Sequence, residues 1–512
     1  MAASMKDKLS DYVTHGRISF HTPGHKGRAE YFDGLRFPHC DLTELPELDC
    51  LSMPTGILAQ AQRRAALAYG AEETFYLVNG ATAGNLALLL AVAGTGTGTG
   101  TGTHGPPLGG RREDGDLCGI TYQSGRYVYL DRSAHRSVMS ALVLSGLTPR
   151  FVMPIMHPDF QLPLGSQVED YWSGLDEAVP AAVHVTCPTY YGSALDMRRL
   201  LSLRDKLGAK TPVLVDQAHG AHWRCGLFPP NAVELGADGV VHSVHKTLAG
   251  LTQSGLLHIQ GSRLDRSVLA QALYMVQSSS PSYLLMASLD SAVAQGDSAD
   301  AWQGLLAEAQ ELREDLAGVY RVLEDNDIGS YGIAGLDGSK ILVNTRPLGV
   351  SAGVVAEMLR LEYGIEPEFW DESNILFVMG VGNRPGEVVT LRRALRKLAD
   401  QAVLRRGDSR LLPTSQYGVN SGLEFSNFRI PEPGSSTVIP NMRLTPREAW
   451  LAPRRLLALR DCLGEIAAET VVTYPPGIPL VIAGEEITEE VMNVLVSNPL
   501  LRDRSSMFVI MN

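Results

Sequence analysis

Lys246 follows His245 directly and stands three residues after Ser243, in Ser243-Val-His-Lys-Thr247. Just upstream is Gly239-Val-Val241, a short apolar run of the kind that forms a buried strand. A second such run, Val213-Leu-Val215, ends in Asp216. An amine and a carboxylate carried at two strand ends can do specific chemistry together. The amine can form a Schiff base with a carbonyl, and the carboxylate can keep a ring nitrogen protonated so that the ring accepts electrons. Position alone does not single out such a lysine, because most lysines that follow a strand are solvated surface groups.

Further groups narrow the reading. Asn79-Gly-Ala-Thr-Ala-Gly-Asn85 leads from a strand-like run, Phe75–Val78, into the apolar helical run Leu86–Ala93. A helix N-terminus offers unpaired N–H groups to a phosphate; Gly80 and Gly84 permit close approach, and Thr82 adds a hydroxyl. Simple packing also uses such turns. Ser243 and His245 can contribute further donors. His135, in Asp131-Arg-Ser-Ala-His-Arg-Ser137, follows the run Tyr127–Leu130 and is placed to stack on a planar ring, with Ala218 against the opposite face. His219 and His222 either orient neighbouring groups or are ordinary structural histidines. A Schiff-base lysine, an acid for a ring nitrogen, a phosphate turn and a stacking ring together describe a site for pyridoxal 5'-phosphate.

The elements that must position these groups read as an α/β fold. From about Arg63 to Met286, helical stretches alternate with the runs Phe75–Val78, Tyr127–Leu130, Ala182–Thr186, Val213–Val215 and Gly239–Val241. This alternation predicts a mostly parallel sheet with helices on both faces, and ligands bind at the carboxyl ends of such strands. Asn79, Asp131, Thr186, Asp216 and Ser243 all fall there, so one site can collect them. The expected organisation is an N-terminal arm at 1–45, a large domain at 46–298, a smaller α/β domain at 299–408, a linker at 409–443 and a C-terminal domain at 444–512. The large domain is interrupted at 94–124 by an insertion beginning with the Gly-Thr repeat Gly94–Thr103, read as low-complexity surface chain or, alternatively, a lid. In the smaller domain a helix is expected over Asp300–Asp325, strands at Lys340–Asn344 and Ile375–Val381, and a helix at Glu387–Val403. Helix signals recur around Pro446–Ile466.

Composition excludes several classes. The chain has 512 residues, 45% hydrophobic and 20% charged, as a soluble globular enzyme would. A formal net charge of −12 and the lack of any Lys/Arg block argue against a nucleic-acid partner, and an acidic surface is compatible with a cationic small substrate. Six cysteines are scattered without metal-binding spacing, so neither a metal site nor a disulfide framework is expected. No signal-like apolar region opens the chain, and runs such as Leu86–Ala93 are far short of the ~20 residues that cross a bilayer, so a cytoplasmic protein without a membrane partner is expected.

The ordered motifs resemble those of the bacterial-type ornithine/lysine/arginine decarboxylases with the type I pyridoxal phosphate fold. Phe20-His-Thr-Pro-Gly-His-Lys-Gly27 resembles the family's PGHK signature. Asp41–Leu45, Asn79–Asn85, Pro188-Thr-Tyr-Tyr-Gly192, Asp216-Gln-Ala-His-Gly-Ala-His222, Ser243–Leu248, Ser279–Tyr283, Tyr474–Pro479 and Gly484-Glu485 follow in family order. The resemblance spans nearly the whole chain and implies Lys246 as the Schiff-base lysine, Asp216 as partner of the pyridine nitrogen and His135 as the stacking residue. It also implies Thr82, Ala83, Ser243 and His245 around the phosphate, and a homodimer or larger homo-oligomer with the Ser279–Tyr283 loop at the interface. The implied reaction is α-decarboxylation of a basic L-amino acid in polyamine metabolism, arginine being favoured and lysine or ornithine possible, with His245 or the released Lys246 returning a proton to Cα. Glu485 and Glu486 are candidates for the substrate's cationic end, or are solvated surface acids. Gln217, Arg136 and Cys50 depart from the usual pattern, where an acid, a lysine and an aspartate are common. A long N-terminal wing is lacking, as in the short form that resembles biosynthetic arginine decarboxylase. The alternative is an aminotransferase or aldolase-type lyase on the same fold, or a cofactor-binding regulator without catalysis.

Overall fold

The computed structural model describes residues 18–21, 24–26, 28–32, 42, 44–45, 48–94, 125–175, 178–208, 210–295, 299–405, 440–472, 478–497 and 504–511. The Gly-Thr repeat beyond Gly94, the linker up to 439, most of the Tyr474–Pro479 motif and the first 17 residues lie outside these.

The β-branched and aromatic runs form one seven-stranded sheet, ordered Glu73–Leu77, Gly255–Ile259, Gly239–Ser243, Val213–Asp216, Ala182–Thr186, Tyr127–Asp131, Thr148–Val152. All five strands read from the sequence are present, and two more, Thr148–Val152 and Gly255–Ile259, join them. Only Gly255–Ile259 runs against the rest, pairing antiparallel with both neighbours. A period of two sorts the side chains onto two faces. Val128, Leu130, Ala182, Leu214, Val241 and Leu257 pack on one side under the helices Gly80–Gly94, Arg136–Ser145 and Arg266–Val276. Tyr127, Tyr129, Val183, Val185, Val213, Val215 and Val240 pack on the other. Burial on both faces explains why these strands read as continuous apolar runs.

The helix Gly80–Gly94 lies almost directly on the sheet. A Cβ at Gly84 would stand 2.9 Å from side-chain atoms of both Leu77 and Val241, so glycine there sets the helix depth. Asp49 organises the entry to the next helix upstream, Ile57–Tyr69. Its carboxylate accepts from the N–H groups of Cys50, Thr55, Gly56, Leu58 and Ala59, which holds its pKa at about 2 despite the opposing effect of burial. The acid beside Cys50 thus supplies a carboxylate there.

A second core surrounds the antiparallel sheet Arg321–Val322, Lys340–Asn344, Asn374–Val378, Phe369–Trp370, covered by the helices Ala299–Leu316, Ala352–Glu362 and Glu387–Arg405. The first helix ends at Leu316 rather than Asp325. Gly318 takes φ +77° just beyond it, and Arg321–Val322 pairs as a strand. The strand Ile18–Phe20 of the N-terminal region pairs in parallel with Ile365–Pro367 of this unit.

In the C-terminal region the helix signals around Pro446–Ile466 yield an α-helix only at Pro446–Leu451, opened by a Thr445–Glu448 capping box. Pro453 prevents its continuation, and Arg454–Ala458 pairs instead with Ser506–Ile510. Among the described residues no helix is long and apolar enough to cross a membrane, and no cluster could hold a metal ion.

Candidate active site

The carboxyl edge of the sheet gathers the chemistry. Asp216 is the last residue of its strand, and Ser243 ends the adjacent parallel one. The strand Gly239–Ser243 runs straight into a single helical turn, Val244–Thr247, which carries His245 and Lys246 over the edge. Lys246 Nζ lies 2.9 Å from His219 Nε2. Burial lowers the Lys246 pKa against the attraction of Asp216 and Glu368, and His219 is pushed well below the usual histidine range by burial and by Lys246. The His219 ring is therefore neutral and accepts from the lysine, which leaves its hydrogen on Nδ1, an atom without a protein partner.

Asp216 is tied to His135 through a residue that sequence reading did not assign. Asn85 Nδ2 donates to Asp216 Oδ2 at 2.8 Å and to Ser137 Oγ at 3.0 Å, using both of its hydrogens. Ser137 Oγ lies 2.8 Å from His135 Nδ1, which also accepts from the Ser137 N–H as the N-cap of helix Arg136–Ser145. His135 Nδ1 is thus an acceptor. Burial lowers its pKa in spite of Asp216, so the ring is neutral with its hydrogen on Nε2. The Ala218 N–H occupies Asp216 Oδ1 at 3.1 Å.

His245 donates from Nδ1 to the Ser254 carbonyl, since a carbonyl can only accept, and burial pushes it down to about 4. Its Nε2 is left as an acceptor at neutral pH. Thr82 is exposed on the first turn of helix Gly80–Gly94, with Ala83 and Gly84 buried behind it. His222 is a structural link: it meets Thr247 Oγ1 at 3.0 Å and Asp337 Oδ1 at 3.2 Å, joining the lysine turn to the second core. The PGHK motif closes on the same turn. The Gly24 N–H donates to the His245 carbonyl, and a Cβ on Gly24 would stand 2.5 Å from the Thr247 carbonyl carbon.

Two expectations are corrected. Asp131 does not join the site: it shares the face of Tyr127 and Tyr129, where Tyr171, Ser166 and the Thr186 N–H satisfy it. Glu485 is not available to a substrate. It is fully buried, with both oxygens on the Arg132 guanidinium at 2.7 and 2.8 Å and a further bond from the Ile482 N–H. Glu486 pairs with Arg443. The acid that acts on Lys246 besides Asp216 is Glu368, half-buried, accepting from Tyr190 Oη at 3.0 Å while the Tyr190 ring stands edge-on to His219. Its influence also reaches Lys26 and Lys340, both lowered to about 7 by burial. Nothing in the Ile365–Glu368 run announces this, because the contact arises from two units meeting.

These groups fit pyridoxal phosphate. A buried amine of lowered pKa, a carboxylate with acceptor capacity left, a neutral ring at hand and a helix N-terminus lie along one edge. Fold and site together define an enzyme of the α/β class with a lysine-centred site. Residues 4–98 and 118–328 match the Orn/Lys/Arg decarboxylase major domain and residues 435–497 its C-terminal domain. The chain belongs to this family and is a decarboxylase. It is similar to an arginine decarboxylase of Bacillus subtilis, with 31% identity over 96% of this chain and 92% of that one. The constitutive lysine decarboxylase of Escherichia coli shares the fold at TM-score 0.69 and 19% identity, over 99% of this chain and 81% of that one. A structure of SPT with its PLP internal aldimine superposes at TM-score 0.52 and 14% identity, over 76% of this chain and 88% of that one.

Proposed function

We propose that this chain holds pyridoxal 5'-phosphate on Lys246 and removes the α-carboxylate of arginine, giving agmatine and CO2. The observation that carries the reading is the Lys246–His219 contact at 2.9 Å beside Asp216. Bound there, the cofactor supplies an electron-accepting ring that stabilises the charge left on Cα as CO2 departs.

The chain's own residues do the rest. Asp216 would face the pyridine nitrogen and keep it protonated, while Asn85 and the Ala218 N–H keep the carboxylate aimed. His135, held by Ser137, would cover one face of the ring. Helix Gly80–Gly94 presents its first N–H groups to the phosphate, with Thr82, Ala83 and Gly84 at the turn and Ser243 and His245 alongside. Lys246 Nζ, weakened as a base by burial, delivers a proton to Cα, and His219 Nε2 orients it. Glu368 meets the cationic end of the substrate in place of Glu485.

Arginine is supported by the similarity to enzymes named arginine decarboxylase, and the acidic Glu368 suits lysine and ornithine as well. We place the activity in polyamine metabolism, in the cytoplasm, in a homodimer or larger homo-oligomer. Exposed Leu67, Tyr274 and Met275 offer apolar surface for a second copy.

Purified protein given each basic amino acid with pyridoxal phosphate should release CO2 and one diamine or agmatine, fastest from arginine. Release of an oxo-acid without CO2 would favour an aminotransferase. Lys246→Ala should lose both the visible absorption band and turnover.

A further inference from the structure

His184 lies in the middle of the strand Ala182–Thr186, between Leu130 and Leu214 of the neighbouring strands. It shares a face with Thr186, and Thr186 is paired with Asp216. His184 therefore sits one layer below Asp216 on the same side of the sheet. The strand residues around it on that side are apolar: Val128, Leu130, Ala182 and Leu214. An imidazole fully buried there is out of keeping with its surroundings, and neither of its ring nitrogens bonds to another residue.

Two further atoms, on residues that neighbour Asp216, share that condition. Asn85 Oδ1 is buried without a partner although its Nδ2 is bonded to Asp216, and Thr186 Oγ1 is buried without one opposite Asp216. Four unpaired polar atoms in one region call for a common partner, because each is costly to bury alone. Burial pushes His184 down to about 4, so the ring is neutral and offers one donor and one acceptor. With an amide oxygen and a hydroxyl, this is a set that an internal water satisfies, and such waters make about three bonds to buried polar groups.

We propose that His184 is a positioning residue for Asp216: with Asn85 Oδ1 and Thr186 Oγ1 it holds an internal water beneath the carboxylate, keeping Asp216 aimed at the cofactor's ring nitrogen. The inference rests on the pyridoxal phosphate reading above. A hydrogen bond relayed to the charged form of a carboxylate favours that form. The charged and titratable groups coupled to Asp216 are Lys246, His135 and His184 itself. Without the relay Asp216 pairs less firmly with the ring nitrogen, the ring draws fewer electrons, and the nitrogen on Lys246 keeps its proton to higher pH.

The test compares full-length wild type, His184→Phe and His184→Gln by pyridoxal phosphate titration of the apoprotein and by pH titration of the holoenzyme's visible band. His184→Phe is expected to bind the cofactor about tenfold more weakly and to move the midpoint of the band upward by about half a unit or more. His184→Gln, which keeps a donor and an acceptor, should recover most of both. A His184→Phe protein with wild-type affinity and midpoint overturns the inference, as does a stably folded His184→Gln that recovers neither. Should His184→Phe not fold, Thr186→Val must show a shift of the same sign, and no shift overturns the inference. Wild type that binds no pyridoxal phosphate would instead sink the cofactor reading and this inference with it.

Discussion

Asn85 and Asp216, 131 positions apart in the chain, are joined by a buried hydrogen bond of 2.8 Å. The same amide nitrogen reaches Ser137 and, through it, His135. One side chain thus couples the acid that would face the ring nitrogen to the histidine that would cover the ring. Replacing Asn85 by Asp should set two carboxylates side by side and force a proton onto one. We expect cofactor affinity to fall by about ten- to a hundredfold, read by titration of the apoprotein, with Asn85→Ala losing less.

Two acids should separate cleanly by kinetics. Glu368→Gln is expected to raise KM for the basic substrate by about ten- to a hundredfold, the size of one charged contact, with a smaller change in kcat. Glu485→Gln should leave Arg132 buried without its countercharge and cost about 3–5 kcal/mol of stability. A selective KM effect in Glu485→Gln and none in Glu368→Gln would reverse the assignment.

Gly24 admits no side chain. Its Cβ would meet the Thr247 and Leu248 backbone at 2.5–2.7 Å, and a Cβ on Gly380 would stand 2.6 Å from the Gly24 carbonyl oxygen. Gly24→Ala must push the N-terminal segment off the lysine turn. We expect a loss of about 1–3 kcal/mol in thermal unfolding together with weakened cofactor retention.

Acid should destabilise the fold before its carboxylates titrate. Burial lowers His184 and His245 to about 4 and His258 to about 3, from an ordinary 6.5. Between those values the unfolded chain binds protons that the folded chain refuses, so stability falls as pH falls from 6.5 toward 4, by about 1.4 kcal/mol per unit for each fully buried ring. Lys26 and Lys340, lowered to about 7 from 10.5, extend the same slope upward, stability rising with pH above 7. Thermal midpoints measured from pH 4 to 7 should climb steadily. A flat profile would mean that these groups are not held neutral.

Much of this protein was legible before folding because strand ends are local. Val213–Asp216 and Gly239–Ser243 are short apolar runs, each followed by its polar residue, and a parallel sheet puts all such ends on one edge. Thr148–Val152 was hidden by Pro149 and Arg150, and Arg454–Ala458 by a helical composition that Pro453 and pairing with Ser506–Ile510 override. Asp131 was misread because a strand end does not reveal which face its last side chain takes.

The sequence by itself singled out Lys246, Asp216 and the turn into helix Gly80–Gly94 as candidates, since each depends on residue type at the end of a local run. Only the tertiary structure decided their partners. That Asn85 reaches Asp216, that His219 receives Lys246, and that Glu368 joins Asp216 in acting on the lysine are interactions between residues 27 to 131 positions apart. Hydrogen bonds and charges of this kind depend on distance in space and on exclusion of water, and neither is written in local spacing.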